Sequence, residues 1–338
     1  MATVVRTDHL TKDFSTGFWR PRPHRALDAL SFDIPAGGVY GLLGPNGAGK
    51  STTLKLLVGL LWPTSGSAEI LGRPPGDAHA HQRLGFLPEN PTFYDHLSAV
   101  ELLVYFAGLF GFRGEDARRR AARVLDLVGL DEASRRRPLR QYSKGMVQRV
   151  GLAQALVNDP EFVMLDEPMS GLDPVGRREI RDLILRLRDE GRTVLFSSHI
   201  LSDAELLCSR VGIIARGRLV ATGSVADLAS AGDRGQGFEV VVSALPPGTV
   251  ERFGPRVRRA TAIADGRYSL ELAADVRPEP IVAELSAVGA TLVSVAPLRT
   301  TLEDVFLKAL SSTPDHAPRL RSGRPEPAEG RTSDGGRS

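Results

Sequence analysis

The run Gly44-Pro-Asn-Gly-Ala-Gly49-Lys50-Ser51-Thr52 constrains this chain more than any other feature. It stands between a β-rich stretch, Gly37-Gly-Val-Tyr-Gly-Leu-Leu43, and a helical one, Thr53-Leu-Lys-Leu-Leu57. Strand, glycine-rich loop and helix in that order make a cradle for phosphate. The glycines let successive backbone N–H groups turn inward without a Cβ clash, and the helix N-terminus adds positive potential. Gly44, Pro45, Asn46, Gly47, Ala48 and Gly49 form the loop, Lys50 reaches terminal phosphates, and Ser51, followed by Thr52, presents a hydroxyl suited to Mg²⁺.

Around this loop the chain divides into a large first part at 1–230, a linker at 231–237, a smaller part at 238–310 and a tail at 311–338. In the first part, short β-rich runs alternate with helical stretches: the run ending at Leu43, then Phe162-Val-Met-Leu165, Thr193-Val-Leu-Phe-Ser197 and Val211-Gly-Ile-Ile-Ala215. That alternation predicts an α/β fold with a mixed, mostly parallel sheet and helices packed on it. Residues 90–160 depart from it. Ser98-Ala-Val-Glu101 is a capping box opening a helix through Leu109, and another helix runs from Glu115 to Val128, so an inserted helical subdomain is expected.

Ala231-Gly-Asp-Arg-Gly-Gln-Gly237 is rich in glycine and reads as a linker. Beyond it Phe238, Val240 and Val242 share one strand face, as do Tyr268, Leu270 and Leu272. Ile281, Leu285 and Val288 recur at helical spacing, and Thr300-Thr-Leu-Glu303 caps a last helix ending near Leu310. These make a small α+β domain in which no chemistry is legible. From Ser311 onward there are almost no apolar residues, so ordering the tail would cost entropy that no burial offsets; it is expected to be disordered.

A second run, Glu161-Phe-Val-Met-Leu-Asp166-Glu167-Pro168, places two carboxylates at the end of an apolar strand. An unpaired carboxylate there would be costly. Mg²⁺ beside the phosphate loop compensates: Asp166 can hold the ion through a water, and Glu167 can take the proton from a water attacking a γ-phosphate.

Further motifs follow in order: Tyr142-Ser-Lys-Gly-Met146 with Val147-Gln148-Arg149, then Ser170-Gly-Leu-Asp173-Pro174 after the acidic pair, then His199 just past the strand Thr193 to Ser197. With these the chain resembles the ATP-binding cassette (ABC) family over nearly all of its first part. The resemblance implies a P-loop NTPase cassette that binds ATP and Mg²⁺ and hydrolyses ATP. It places Ser143, Lys144, Gly145 and Met146 in the family signature, usually Leu-Ser-Gly-Gly-Gln. It makes Asp173 part of the D-loop at a dimer contact, and His199 the switch histidine that acts with Glu167. Ser143 and Gly145 begin a helix through Gly151-Leu-Ala-Gln-Ala-Leu156 that must end before Pro160; its N-terminus offers a hydroxyl, an N–H group and positive potential to an anion. In the family that anion is the γ-phosphate of ATP on the opposite subunit. A second copy of the chain is therefore the implied partner, enclosing two nucleotides in an interface that loosens on hydrolysis.

The chain departs from the family pattern in places. Leu84-Gly-Phe-Leu-Pro-Glu89 puts Glu89 where the family has a glutamine sensing Mg²⁺ and the γ-phosphate. A carboxylate still ligates Mg²⁺ but adds negative charge beside a phosphate. Lys144 replaces a glycine and Met146 a glutamine. Lys144 either adds a favourable charge near the phosphate or points to solvent. Upstream, Leu10-Thr-Lys-Asp-Phe14 resembles the segment whose aromatic residue stacks on adenine; Phe14 is the first choice, with Phe18 and Trp19 as substitutes in an extra stretch, Ser15 to His24.

The formal net charge is only +3, so a general affinity for nucleic acid is not implied. Arginines do crowd at Arg118-Arg119-Arg120-Arg123 and Arg135-Arg136-Arg137 with Arg140. They read as solvated helix faces, or as contacts to a membrane partner or acidic lipid heads; without interleaved aromatics they do not suit single-stranded nucleic acid. The single cysteine, Cys208, cannot form an intrachain disulfide and reads as a small buried residue. No apolar run approaches the roughly 20 residues that cross a bilayer, and no secretory signal opens the chain. The resemblance implies a peripheral place on the cytoplasmic face of the cell membrane, beside separate transmembrane permease subunits. Similar chains with one cassette, an Asp-Glu-Pro-Met-Ser-Gly-Leu-Asp-Pro run and a small C-terminal domain commonly serve exporters of drugs, lipids or polysaccharides. The competing class is a soluble cassette ATPase acting on ribosomes or DNA, which usually carries two cassettes or a long coiled coil.

Overall fold

The computed structural model describes residues 2–16, 22–232, 237–246, 248–264, 266–298 and 302–312. The chain opens with β1 (Thr3–Thr16), β2 (Arg22–Pro35), β3 (Val39–Leu43), α1 (Lys50–Val58), β4 (Ser65–Ile70), α2 (Ala78–Gln82) and β5 (Leu84–Leu87). A helical segment follows: α3 (Ala99–Leu109), α4 (Gly114–Leu127), α5 (Glu132–Arg135) and α6 (Lys144–Leu156). The alternating pattern resumes with β6 (Phe162–Asp166), α7 (Pro174–Asp189), β7 (Thr193–Ser198), α8 (Leu201–Leu207), β8 (Arg210–Ala215), β9 (Arg218–Ser224) and α9 (Val225–Gly232). The last elements are β10 (Phe238–Ser243), β11 (Val257–Ala264), β12 (Arg267–Leu272), α10 (Pro278–Ala287), β13 (Thr291–Pro297) and α11 (Leu302–Ser312).

The central sheet has the order β5-β6-β7-β3-β8-β9, parallel except for β9. Every residue of β3, β6 and β7 is buried, as strands covered on both faces require. Their side chains alternate between two cores. Val194 and Phe196 of β7 face a core shared with α3, α4, α6 and α7, while Leu195 faces one shared with α1 and the antiparallel sheet β2-β1-β4. The expected mostly parallel sheet is present, and so is the helical insertion. Ser98 Oγ accepts the Glu101 N–H at 3.3 Å while the Ser98 N–H donates to Glu101 Oε2 at 2.9 Å, which closes the capping box of α3 and holds the Glu101 carboxyl below its ordinary range.

The C-terminal sheet, order β11-β12-β10-β13, is antiparallel. Val240, Val242, Leu270 and Leu272 meet Ile281 and Leu285 of α10 in a small core of their own. The structure differs from three expectations. Ala231 and Gly232, assigned to the linker, finish α9, because the helix begun at Val225 continues through them. The last helix, assigned to the 238–310 part, packs instead on the first part: Leu302, Val305 and Phe306 join the large core, beside α8, α9 and β9. Their i, i+3, i+4 spacing makes one apolar face, and spacing alone does not say which core receives it. This helix also takes in Ser311 and Ser312, expected in the tail. Residues 233–236 of the linker, Thr300 and Thr301 of the expected cap, and 313–338 of the tail lie outside the described residues. Cys208 is buried, and burial pushes its thiol pKa up.

Two glycines allow a controlled test of the packing between β5 and α6. A Cβ on Gly85 of β5 would collide with the carbonyl oxygen of Ala155 in α6, whereas one on Gly108 of α3 would meet nothing within 4 Å. Gly85→Ala is expected to lower the unfolding free energy by about 1–3 kcal/mol. Gly108→Ala should leave it unchanged or raise it by up to about 1 kcal/mol. Urea titration followed by circular dichroism checks both, and equal effects would contradict the close approach.

Candidate active site

The glycine-rich loop joins β3 to α1 at the carboxyl edge of the parallel sheet, where open α/β sheets bind ligands. Two of its glycines are required by their surroundings. A Cβ on Gly44 would run into the carbonyl oxygen of Ile214, and Gly49 has φ +110° with Leu27 and the Ala26 carbonyl pressed against its Cα. Lys50, buried to 6% exposure, curls back over the loop; its ammonium donates to the carbonyl oxygens of Gly44 at 2.8 Å and Pro45 at 3.3 Å.

The acidic pair lies next to this loop because β7 brings Ser197 opposite Asp166 in parallel register. Asp166, 1% exposed, accepts from Ser197 Oγ at 2.6 Å and from Ser51 Oγ at 3.1 Å. The Glu167 N–H donates to Ser197 Oγ at 2.9 Å. Glu167 itself takes the left-handed conformation, φ 50°, rare for a side chain of its kind and a mark of a site held by its surroundings. Its Oε2 lies 2.9 Å from His199 Nδ1, and its Oε1 lies 3.2 Å from Lys50 Nζ, within ion-pair reach although not aligned for a hydrogen bond. Glu167 is 8% exposed, so a buried carboxylate with one uncommitted oxygen faces the phosphate loop.

Lys50, Ser51 and Glu167 share a cleft of 420 Å³ with Phe14, His24, Ala26, the rest of the run Asn46 to Thr52, and Glu89; Asp166 and His199 stand behind its lining residues, bonded to Ser51 and Glu167. Phe14 is half-buried, its ring 5.1 Å from the Lys12 ammonium. Glu89 is exposed at the rim. Phe18 and Trp19 lie outside the described residues. A second hollow, also 420 Å³, is lined by Ser143, Lys144, Gly145, Met146, Asp173 and their neighbours, and shares no residue with the first. Ser143 is the N-cap of α6, its Oγ accepting the Met146 N–H at 3.3 Å. The first turn of α6 carries no acidic residue. Lys144 extends across Gly171, where a Cβ would collide with it. Asp173 caps α7 by accepting the Gly176 N–H at 2.9 Å.

Much of the arginine cluster is spent within the chain. Arg119 and Arg120 pair with Asp116, Arg123 with Asp159, and Arg135 with Asp126; Arg120 also stacks 3.6 Å over the Phe112 ring. Two contributors escape sequence reading. Ser197 bridges both carboxyl-bearing residues, and the buried amide of Gln148 donates to the Pro168 carbonyl at 3.0 Å, tying α6 to the segment after Glu167. A serine ending an apolar strand is a faint signal, and its partner appears only once strand order is known.

Comparison with known proteins agrees with this geometry. Residues 27–170 match the ABC transporter family. An uncharacterized ABC transporter ATP-binding protein of Synechocystis sp. is 43% identical, over 91% of this chain and 85% of that protein. The linearmycin resistance ATP-binding protein LnrL of Bacillus subtilis is 33% identical over 85% of this chain and 94% of its own length. The dimeric cassette MJ0796, solved in a post-hydrolysis state bound to ADP and Pi, superposes with a TM-score of 0.60 at 27% identity, over 65% of this chain and 98% of that one. Motif order, site geometry and relatives coincide: the chain belongs to the ABC transporter family, as an ATP-binding and ATP-hydrolysing subunit.

Proposed function

We propose that two copies of this chain clamp ATP between the Lys50 loop of one and the α6 N-terminus of the other, and that the clamp drives separate transmembrane subunits of an exporter. The observation that carries this reading is the division of the anion-binding groups between two hollows that share no residue. The α6 N-terminus has a hydroxyl, N–H groups and no nearby acid in its first turn, and so suits a phosphate that its own cleft does not deliver. MJ0796 is a dimer, and two relatives are a linearmycin resistance ATP-binding protein and the bacitracin transport ATP-binding protein of Bacillus licheniformis, which support export.

In the cleft, Glu167 is the base that accepts the proton of the attacking water, and His199 fixes its carboxylate through the 2.9 Å contact. Lys50 is already desolvated, and its ammonium exchanges the Gly44 and Pro45 carbonyl contacts for phosphate oxygens when the nucleotide binds. Mg²⁺ fits the hard oxygen donors Ser51 and Asp166, with Glu89 at the rim; Mg²⁺ commonly takes one or two carboxylates and leaves its other positions to water and phosphate. When bound it supplies positive charge to the phosphate oxygens. Phe14 offers its ring to the base at the other end of the cleft.

The transmembrane partner has a face to meet. The segment after Glu89 leads to Tyr94, whose ring packs edge-on against Tyr105 at 6.4 Å, and Tyr105 and Leu109 lie one turn apart on α3. All three are exposed, by 59%, 49% and 65%. Such a patch suits the apolar side of a helix from a membrane subunit.

Glu167→Gln is expected to lower ATP turnover by roughly 10²–10⁴-fold and to accumulate an ATP-bound dimer in light scattering. Unchanged turnover would remove Glu167 from the mechanism, and a monomer under saturating ATP would remove the clamp. Leu109→Asp should leave the ATPase rate of the isolated chain intact while reducing its recovery with membranes bearing the neighbouring multi-span subunit by roughly tenfold. Undiminished recovery would show that α3 is not the docking face.

A further inference from the structure

Immediately after His199 comes a helix that cannot stand alone. α8 has seven residues, and its N-cap, Ile200, offers no side-chain hydrogen bond. Isolated helices need roughly 12–15 residues to persist in water, so α8 holds its place only through what packs on it. On the side of α7 the seat is imperfect. Asp203 reaches Arg181 through one oxygen at 3.4 Å, and its other oxygen, Oδ2, is buried with no hydrogen-bond partner among the described residues. A half-satisfied buried carboxylate costs desolvation free energy that a single long contact does not return.

The missing support comes from the other end of the chain. The Leu302 N–H, at the start of α11, donates to Glu205 Oε1 of α8 at 2.7 Å. A carboxylate at that position also meets the positive end of the α11 dipole. Leu302 is fully buried, and Val305 and Phe306 pack on the same core as Ala204 and Leu207 of α8. The chain therefore leaves the first part at α9, builds the C-terminal sheet, and returns to grip the element that follows the switch histidine.

We infer that α11 is a strap for the switch: Glu205 and the apolar face of α11 hold α8, and α8 holds His199 against Glu167. Glu205 is a positioning residue, and the C-terminal sheet, anchored at α9 and α11, is a lever on the rate of hydrolysis. α11 packs on α8, and α8 packs in turn on β3 and β7. The inference rests on Glu167 and His199 being the catalytic pair.

The test is the steady-state ATPase of the full chain carrying Glu205→Ala, Glu205→Gln or Phe306→Ala, each alone and combined with His199→Gln. Glu205→Ala and Phe306→Ala are expected to lower kcat roughly three- to tenfold with KM for ATP unchanged. Glu205→Gln keeps an acceptor oxygen and should restore most of the rate. In the His199→Gln background neither Glu205→Ala nor Phe306→Ala should lower the rate further, since the residue they position is gone. Equal fractional losses in both backgrounds, a loss confined to KM, or an unchanged kcat would each overturn the strap. If His199→Gln or Glu167→Gln leaves turnover at the parent level, it is the catalytic pair that fails, not the strap.

Discussion

Two carboxylates buried at the end of β6 set the terms for the rest of the molecule. Asp166 and Glu167 are almost without solvent, and leaving either unpaired would cost more than a typical core contact returns. Neighbouring elements supply partners to both residues. β7 supplies Ser197 to both residues, α1 supplies Ser51 and Lys50, and the segment after β7 supplies His199. That arrangement needs β6, β7 and β3 side by side and parallel, so that their carboxyl ends arrive at one edge. It also needs Glu167 in the left-handed conformation, which turns its carboxylate from the sheet toward the phosphate loop. Strain there is offset by the Ser197 and His199 contacts, and the chemistry depends on the same contacts.

Within one chain the positive potential for phosphate is split. The Lys50 loop and the α6 N-terminus open into different hollows, and Lys144 stands at the end of a helix dipole where a cation is disfavoured unless an anion approaches. In contrast, the arginines of α4 and α5 are largely neutralised by Asp116, Asp126 and Asp159. Clustered charge in the sequence is thus a poor guide to an anion site. The first turn of α6 carries no carboxylate, whereas those of α4 and α5 carry Glu115, Asp116 and Glu132.

Local chemistry was legible in the sequence wherever a motif carries its own geometry. The Gly44 to Thr52 loop, the acidic pair after β6, the Ser98 capping box and the central strands follow from spacing and residue type, and the structure places them in the elements they imply. Contacts between distant segments were not legible. Ser197 reads as an ordinary strand end until β7 is known to lie against β6, and Gln148 reads as a helix residue until α6 is known to pass Pro168. The last helix shows the limit most clearly: Leu302, Val305 and Phe306 define its apolar face, but either core could have received it. Likewise Ala231 and Gly232 look like linker by composition and are helical because the preceding turns of α9 carry through them.

The two additions to the nucleotide-binding sheet leave it from opposite edges. The helical segment follows β5, at one end of the strand order, and the C-terminal sheet follows β9, at the other. The strands β6, β7 and β3, which lead to the acidic pair, His199 and the phosphate loop, lie between them. α6 packs on β5, and α9 and α11 pack on β9. Each addition touches the active site through a different group, the helical segment through the loop carrying Glu89 and the C-terminal part through α8 and His199. A partner pressing on α3 and a displacement of the C-terminal sheet would therefore act on the two sides of one cleft.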